Sequence, residues 1–305
     1  MEQVATHPLL LEKVLLVLHY FEVFSYPLTR QEIRSNCSIL LSPEETEATL
    51  RELEERKKAF AYKGYYSSHA SVKNWVERRL AGNCLADRHI QKAVVVGRFL
   101  YGFPFVRFVG ISGSLSKGFS RPKGDYDFFI VTEKNRLWIC RTILHFFKKM
   151  SFLAGQQHKF CMNYFLDEAH QEIEEKNLYT AIELSTLLPV SGSQVYRQLM
   201  QENNWVKDFL PNDYIPFYSI RTSDRKARFF RWLELPFTIY GNALNRMLMK
   251  LTDRKWRRKW EKKNYPKEDY DLAFKTTLYQ SKNHPTNYQK KTLEGLKTIV
   301  HNKGL

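Results

Sequence analysis

Val109-Gly110-Ile111-Ser112-Gly113-Ser114-Leu115-Ser116-Lys117-Gly118-Phe119-Ser120-Arg121-Pro122-Lys123-Gly124-Asp125-Tyr126-Asp127, running on into Phe128-Phe129-Ile130-Val131, is the stretch on which the reading of this 305-residue chain turns. Four of the 13 glycines crowd into the 15 residues from Gly110 to Gly124, a concentration that asks for a chemical reason. The β-branched and aromatic run Val106 to Ile111 predicts a strand that ends in a glycine turn, and Phe128 to Val131 predicts a second strand. Gly113 leaves the backbone open to a ligand, and Ser114 stands where a short helix would offer free amides to phosphate. Asp125 and Asp127, two apart on an extended segment, leave by the same face with alpha carbons about 6–7 Å apart. Two carboxylates brought to about 4 Å repel by ~4 kcal/mol at an effective dielectric of ~20, so a convergent pair calls for a shared proton or a cation. Hard oxygen ligands select Mg2+ or Mn2+. Lys117 is placed to face phosphate, whereas Arg121 and Lys123 lie in a connecting loop and face solvent.

Outward from this window, Arg136 to Leu153 predicts a helix, Phe160 to Phe165 a third strand, and Val72 to Leu100 a polar-basic helix upstream. The class is therefore α+β. Leu11, Val14, Leu15, Leu18 and Phe21 recur at helical spacing before Tyr26-Pro27. Thr29-Arg30-Gln31-Glu32 and Ser42-Pro43-Glu44-Glu45 both read as capping boxes that start helices. Lys63-Gly64 sits between aromatic pairs as a tight hairpin turn. Three helices and a hairpin predict a winged-helix-like unit over residues 1–70. Between Ser42 and Lys58 six glutamates face four basic residues, the wrong balance for a helix approaching phosphates, so this unit is read as a packing or protein-contact module. Beyond Asp167 only helices are expected, including Leu178 to Leu188 and Ser193 to Phe209. A boundary near Leu210-Pro211-Asn212 divides a core domain, 71–210, from a basic helical region, 211–305.

The net charge of +16 favours a polyanionic partner or substrate. Residues 221–263 hold 14 basic and four acidic side chains, so the excess is local. Arg254-Lys255-Trp256-Arg257-Arg258-Lys259-Trp260 invites two readings: indoles stacking on nucleic-acid bases, or indoles packed against the protein beneath a polyanion-binding cationic face. The second is favoured. Four scattered cysteines without C-x-x-C spacing argue against a zinc ribbon or a disulfide framework and fit a reducing cytoplasm. The apolar stretch Leu9 to Phe24 is interrupted by Glu12, Lys13, His19 and Glu22, which excludes a membrane span. No H-x-H or H-x-x-x-H spacing supports a histidine metal site, and no histidine or acid is paired with Ser112 or Ser114 as a hydrolase needs.

Gly113-Ser114, ten intervening residues, Asp125-Tyr126-Asp127 and then apolar residues, with Gly118 completing G-S-x-x-x-G, resembles the nucleotidyltransferase superfamily that includes DNA polymerase beta and the small bacterial nucleotidyltransferases. The resemblance covers about Phe105 to Phe165 and implies a polymerase-beta-like core with a small mixed sheet. It implies that the Gly113-Ser114 turn cradles a nucleoside triphosphate, to which the position of Lys117, one turn into the short helix, adds a cation. Asp125 and Asp127 then hold magnesium for attack of an acceptor hydroxyl on the alpha phosphate. The flanking winged-helix-like unit and helical tail resemble uncharacterised bacterial members. The family usually adds a third carboxylate from a later strand. Here Lys159 to Leu166 offers Asn163 instead, a possible metal ligand through its carbonyl that carries no charge and cannot act as a base. Asp167 or Glu168 compensates only if the strand end bends inward. The expected function is magnesium-dependent transfer of a nucleoside monophosphate to an unidentified hydroxyl. The alternative is an impaired nucleotide-binding protein that serves as a nucleic-acid or protein interaction module.

Overall fold

The computed structural model describes residues 7–152, 160–214, 216–224, 234–235 and 237–304. Helix α1 (Pro8–Glu22) starts with proline at its first position, where a missing amide hydrogen costs nothing. Helices α2 (Arg30–Ser35) and α3 (Pro43–Glu55) begin at Thr29 and Ser42, and both reciprocal capping boxes form. Strands β1 (Leu28–Thr29), β2 (Phe60–Tyr62) and β3 (Tyr65–Ser67) make an antiparallel sheet in the order β1-β3-β2. Lys63 and Gly64 carry φ of +50° and +78°, the left-handed pair that a two-residue hairpin turn needs.

The 30-residue helix α4 (Val72–Tyr101) ties this unit to the rest of the molecule. Its Arg79 is 2% exposed and donates to both carboxylate oxygens of Glu32, at 2.6 and 2.8 Å, and to the Pro27 carbonyl. The rings of Tyr26 and Tyr65 flank the guanidinium at 4.4 and 4.7 Å. Glu32 thereby caps α2 and neutralises a buried cation at once.

The central mixed sheet joins β4 (Val106–Ser112), β5 (Asp127–Thr132), β6 (Cys161–Asp167), β7 (Leu188–Ser191) and β8 (Gln280–Lys282) in the order β7-β4-β5-β6-β8. Only β5 and β6 are parallel, and α6 (Leu137–Phe152) makes the crossover between them. The remaining helices are α5 (Gly113–Ser116), α7 (Leu178–Ser185), α8 (Ser193–Glu202), α9 (Val206–Phe209), α10 (Phe237–Glu261), α11 (Lys267–Ala273) and α12 (Tyr288–Lys303). Side chains alternate across the sheet. Phe108, Phe129, Val131 and Leu166 share a core with α1, α3 and α7, while Val109, Ile111, Phe128, Ile130 and Phe165 share the opposite core with α4 and α6. Asp127 is in phase with Phe129 and Val131, and so opens toward α1 and α7.

Two strands lie where only helices were expected. β7 includes Pro189, tolerated because β7 is an edge strand, and β8 has no apolar residue at all. The β8 backbone is held by pairing Tyr164 with Lys282 and Leu166 with Gln280. Ser193 to Phe209 also divides at Asn203–Trp205 into α8 and α9. The C-terminal end returns to the beginning of the chain: α12 packs on α1, and Lys303 Nζ lies 2.7 Å from Glu22. None of the described helices is long and apolar enough to cross a membrane, and all four cysteines are free thiols.

Candidate active site

The Gly-Ser turn closes directly over the carboxylate. Ser112 is the ladder partner of Asp127, and Gly113 then turns with φ of +70°. A Cβ on Gly113 would stand 2.6 Å from Asp127 Oδ2, so glycine is required both for the backbone and for the contact. Gly113→Ala is expected to cost about 1–3 kcal/mol, read from urea unfolding; an unchanged midpoint would contradict the contact. Ser114 is exposed at the turn, and its carbonyl accepts the Phe119 amide at 3.0 Å.

Asp125 departs from its expected place. The β5 ladder begins at Asp127, and Asp125 is an exposed residue just before it. The extended backbone continues through Tyr126, whose carbonyl accepts the Cys161 amide at 3.1 Å while its ring is buried. The two carboxylates are near enough for Asp125 to influence Asp127. Burial pushes the Asp127 carboxyl up to about 6; the charges of Asp125 and Glu183 add to this, and a hydrogen bond from Cys161 and the Lys117 charge oppose it. Among the described residues no three His, Cys, Asp or Glu side chains already form a metal-binding group.

Asn163 is linked to Asp127 through Cys161. It is the extra residue where the β5–β6 register shifts between Met162 and Tyr164, and its Nδ2 donates to Cys161 Sγ at 2.9 Å. Cys161 in turn donates to Asp127, and burial with the adjacent Asp127 charge raises its thiol pKa. Asn163 therefore orients a relay to the carboxylate. Asp167 and Glu168 do not substitute for it: Asp167 pairs with Thr132, five residues along parallel strands from the Asp127–Cys161 pair, which is about 17 Å. Asp167 there accepts the amides of Asn135 and Ala169 at 2.6 and 2.9 Å.

The carboxylate that faces the site comes from α7. Lys117 Nζ donates to Gly113 O at 3.0 Å and to Glu183 Oε1 at 2.8 Å, so the lysine folds back over the turn and is neutralised there. The Glu183 charge acts on Asp127, Tyr20, Tyr179, Tyr214 and His284. These residues come from β5, α1, α7 and the loops after α9 and β8. Burial, before any charge, raises the three tyrosines and lowers His284 to about 4. Sequence reasoning missed Glu183 and Cys161. The one signal for Glu183 is that it is the sole charged residue of α7, beside Ile182 and Leu184.

Of the basic region, residues 225–233 lie outside the described residues. Along α10 and its extension, Arg246, Lys250, Arg254, Arg258 and Lys262 are exposed at four-residue spacing, a continuous cationic ridge. The tryptophans do not project from it. Trp256 is buried, Trp260 is partly buried, and both pack on Phe274 at 6.0 and 4.9 Å. Compared with known proteins, the chain matches no protein-family model, no curated protein and no solved structure.

Proposed function

We propose that this protein is a divalent-metal-dependent nucleotidyltransferase with a polymerase-beta-like core, passing a nucleoside monophosphate from a triphosphate to a hydroxyl acceptor. The observation that carries this reading is the close approach of the Gly113-Ser114 turn to the half-buried Asp127 carboxyl, with Lys117 and Glu183 at its edge. Asp125 and Asp127 are the two hard oxygen donors that would hold Mg2+. When bound, the metal neutralises phosphate charge and polarises the reacting phosphorus centre.

The remaining roles belong to the chain. The glycine turn lets the triphosphate approach the backbone, and Lys117 exchanges Glu183 for a phosphate oxygen. Glu183, released from Lys117, accepts the proton of the acceptor hydroxyl as its oxygen bonds to the alpha phosphorus and pyrophosphate leaves with the bond electrons. Cys161 and Asn163 hold the Asp127 oxygens in register. The cationic ridge of α10 gives the protein a polyanion-binding face, and the N-terminal helices offer a protein-contact surface.

The test is incubation with each labelled triphosphate, Mg2+ or Mn2+, and cell extract, followed by mass spectrometry of the products. A nucleotidylated product is expected, absent with Asp125→Asn and Asp127→Asn. Glu183→Gln is expected to keep triphosphate binding and lose turnover by roughly 10²–10⁴-fold. Binding without product from any acceptor would favour an impaired nucleotide-binding module.

A further inference from the structure

A second site lies across the sheet, where a charge is buried without its counterpart. Arginine stays protonated in proteins, and buried charges are normally paired. Arg141 of α6 is 6% exposed, yet among the described residues no carboxylate pairs with it, and its buried Nε has no hydrogen-bond partner. Segments 153–159 and 225–233 contain no Asp or Glu that would fill the role. The guanidinium is instead surrounded by rings: Trp256 at 4.5 Å, Trp138 at 5.6 Å and Phe165 at 5.8 Å. Burial lowers its pKa to about 9 with no anion to offset the loss of water.

One helical turn along, His145 repeats the pattern, with its Nε2 buried and unpartnered. Lys149 follows on the same stripe of α6. Lys255 adds a further cation from α10, which docks on α6 by Asn245 Oδ1 accepting the Trp138 amide at 2.8 Å. Burial holds His145 well below its ordinary value, and the charges that act on it, Arg141, Lys148, Lys149 and Lys255, are all positive. The cluster where α6, β6 and α10 meet is thus aromatic, and the charges acting on His145 within it are cationic.

We propose that this cluster around Arg141 is an oxyanion site that takes the terminal phosphate of a small phosphorylated molecule. A phosphate monoester is close to a dianion at neutral pH, so it answers several cations at once and meets the guanidinium fork with paired oxygens. A nucleic-acid backbone is excluded by depth: its phosphodiesters are flanked on both sides by sugars, while Arg141 lies beneath the surface. The site is on the face opposite Asp127 and does not depend on the transfer reading.

Inorganic phosphate is the probe, titrated by calorimetry and thermal unfolding without nucleotide or divalent metal, against chloride of equal ionic strength. Saturable binding and a rising Tm are expected in the wild type and equally in Asp127→Asn. Arg141→Met is expected to be at least as stable without phosphate and to lose about tenfold or more in affinity. Lys255→Gln, at the exposed rim, is expected to weaken binding by about threefold to tenfold. Absence of a saturable response in the wild type, or an unaltered response in Arg141→Met, overturns the proposal. So does an Arg141→Met protein that folds but is less stable without phosphate, because the guanidinium would then be a stacked plug. Should that variant not fold, unchanged affinity in Lys255→Gln overturns it. Stabilisation by an RNA oligonucleotide but not by free phosphate overturns it in favour of the α10 ridge.

Discussion

Asp127→Asn is expected to abolish the proposed nucleotidyl transfer and, in metal-free buffer above pH 6, to leave the protein more stable than the wild type. The second effect follows from proton linkage. The folded Asp127 carboxyl titrates at about 6, above an unfolded value of about 3.9. The folded state therefore favours the protonated form. Its stabilising contribution is full below about pH 4 and is lost as pH rises through about 6. Partial burial leaves some solvent screening, so the loss is on the order of 2 kcal/mol rather than the full two-unit equivalent. Asparagine, close in shape and always neutral, escapes this penalty. Urea unfolding of both proteins at pH 4, 5, 6 and 8 is the measurement; a stability difference that does not change with pH would contradict the raised carboxyl. Added Mg2+ should restore wild-type stability above pH 6, where the carboxylate is ionised, and do little below pH 5.

Arg79→Ala is the substitution expected to damage the fold most, by roughly 3–5 kcal/mol. The guanidinium is buried, bonded to both oxygens of Glu32 and to the Pro27 carbonyl, and flanked by two tyrosine rings. Its removal leaves a carboxylate and a carbonyl without their partner and empties the space between the rings. Glu32→Ala is also expected to be costly, because it strands a buried cation and removes half of the α2 capping box. Combined, the two should cost well under the sum of the single changes, since each alone leaves the other charge unpaired. A double-mutant cycle in urea would test this, and strict additivity would contradict a coupled pair. Loss of Arg79 should also reach the candidate site, because Tyr26 stacks on Arg79 and its hydroxyl donates to the Lys117 carbonyl at 3.1 Å.

Local chemistry explains which features were legible before any coordinates. The capping boxes at Thr29 and Ser42, the Lys63-Gly64 turn and the strand–glycine–strand pattern from Val106 to Val131 each arise from residues within a few positions of one another. Their signals are complete in short windows of sequence. The approach of Gly113 to Asp127 belongs with them, because adjacent antiparallel strands fix that register.

What the windows left unspoken depends on partners far away in the chain. Gln280–Lys282 is a strand because β6 offers it an open edge, and no periodicity in three polar residues announces this. Glu183 enters the site because α7 packs over the face toward which Asp127 opens, about sixty residues along the chain, while the acids nearest the missing position, Asp167 and Glu168, lie at the wrong end of their strand. Arg141 looks like any helical arginine until α10 closes Trp256 over it. Periodicity and turn chemistry thus specify the elements and the glycine bend, whereas burial and the placing of distant charges exist only once the chain has folded, because both are properties of surroundings and not of residues.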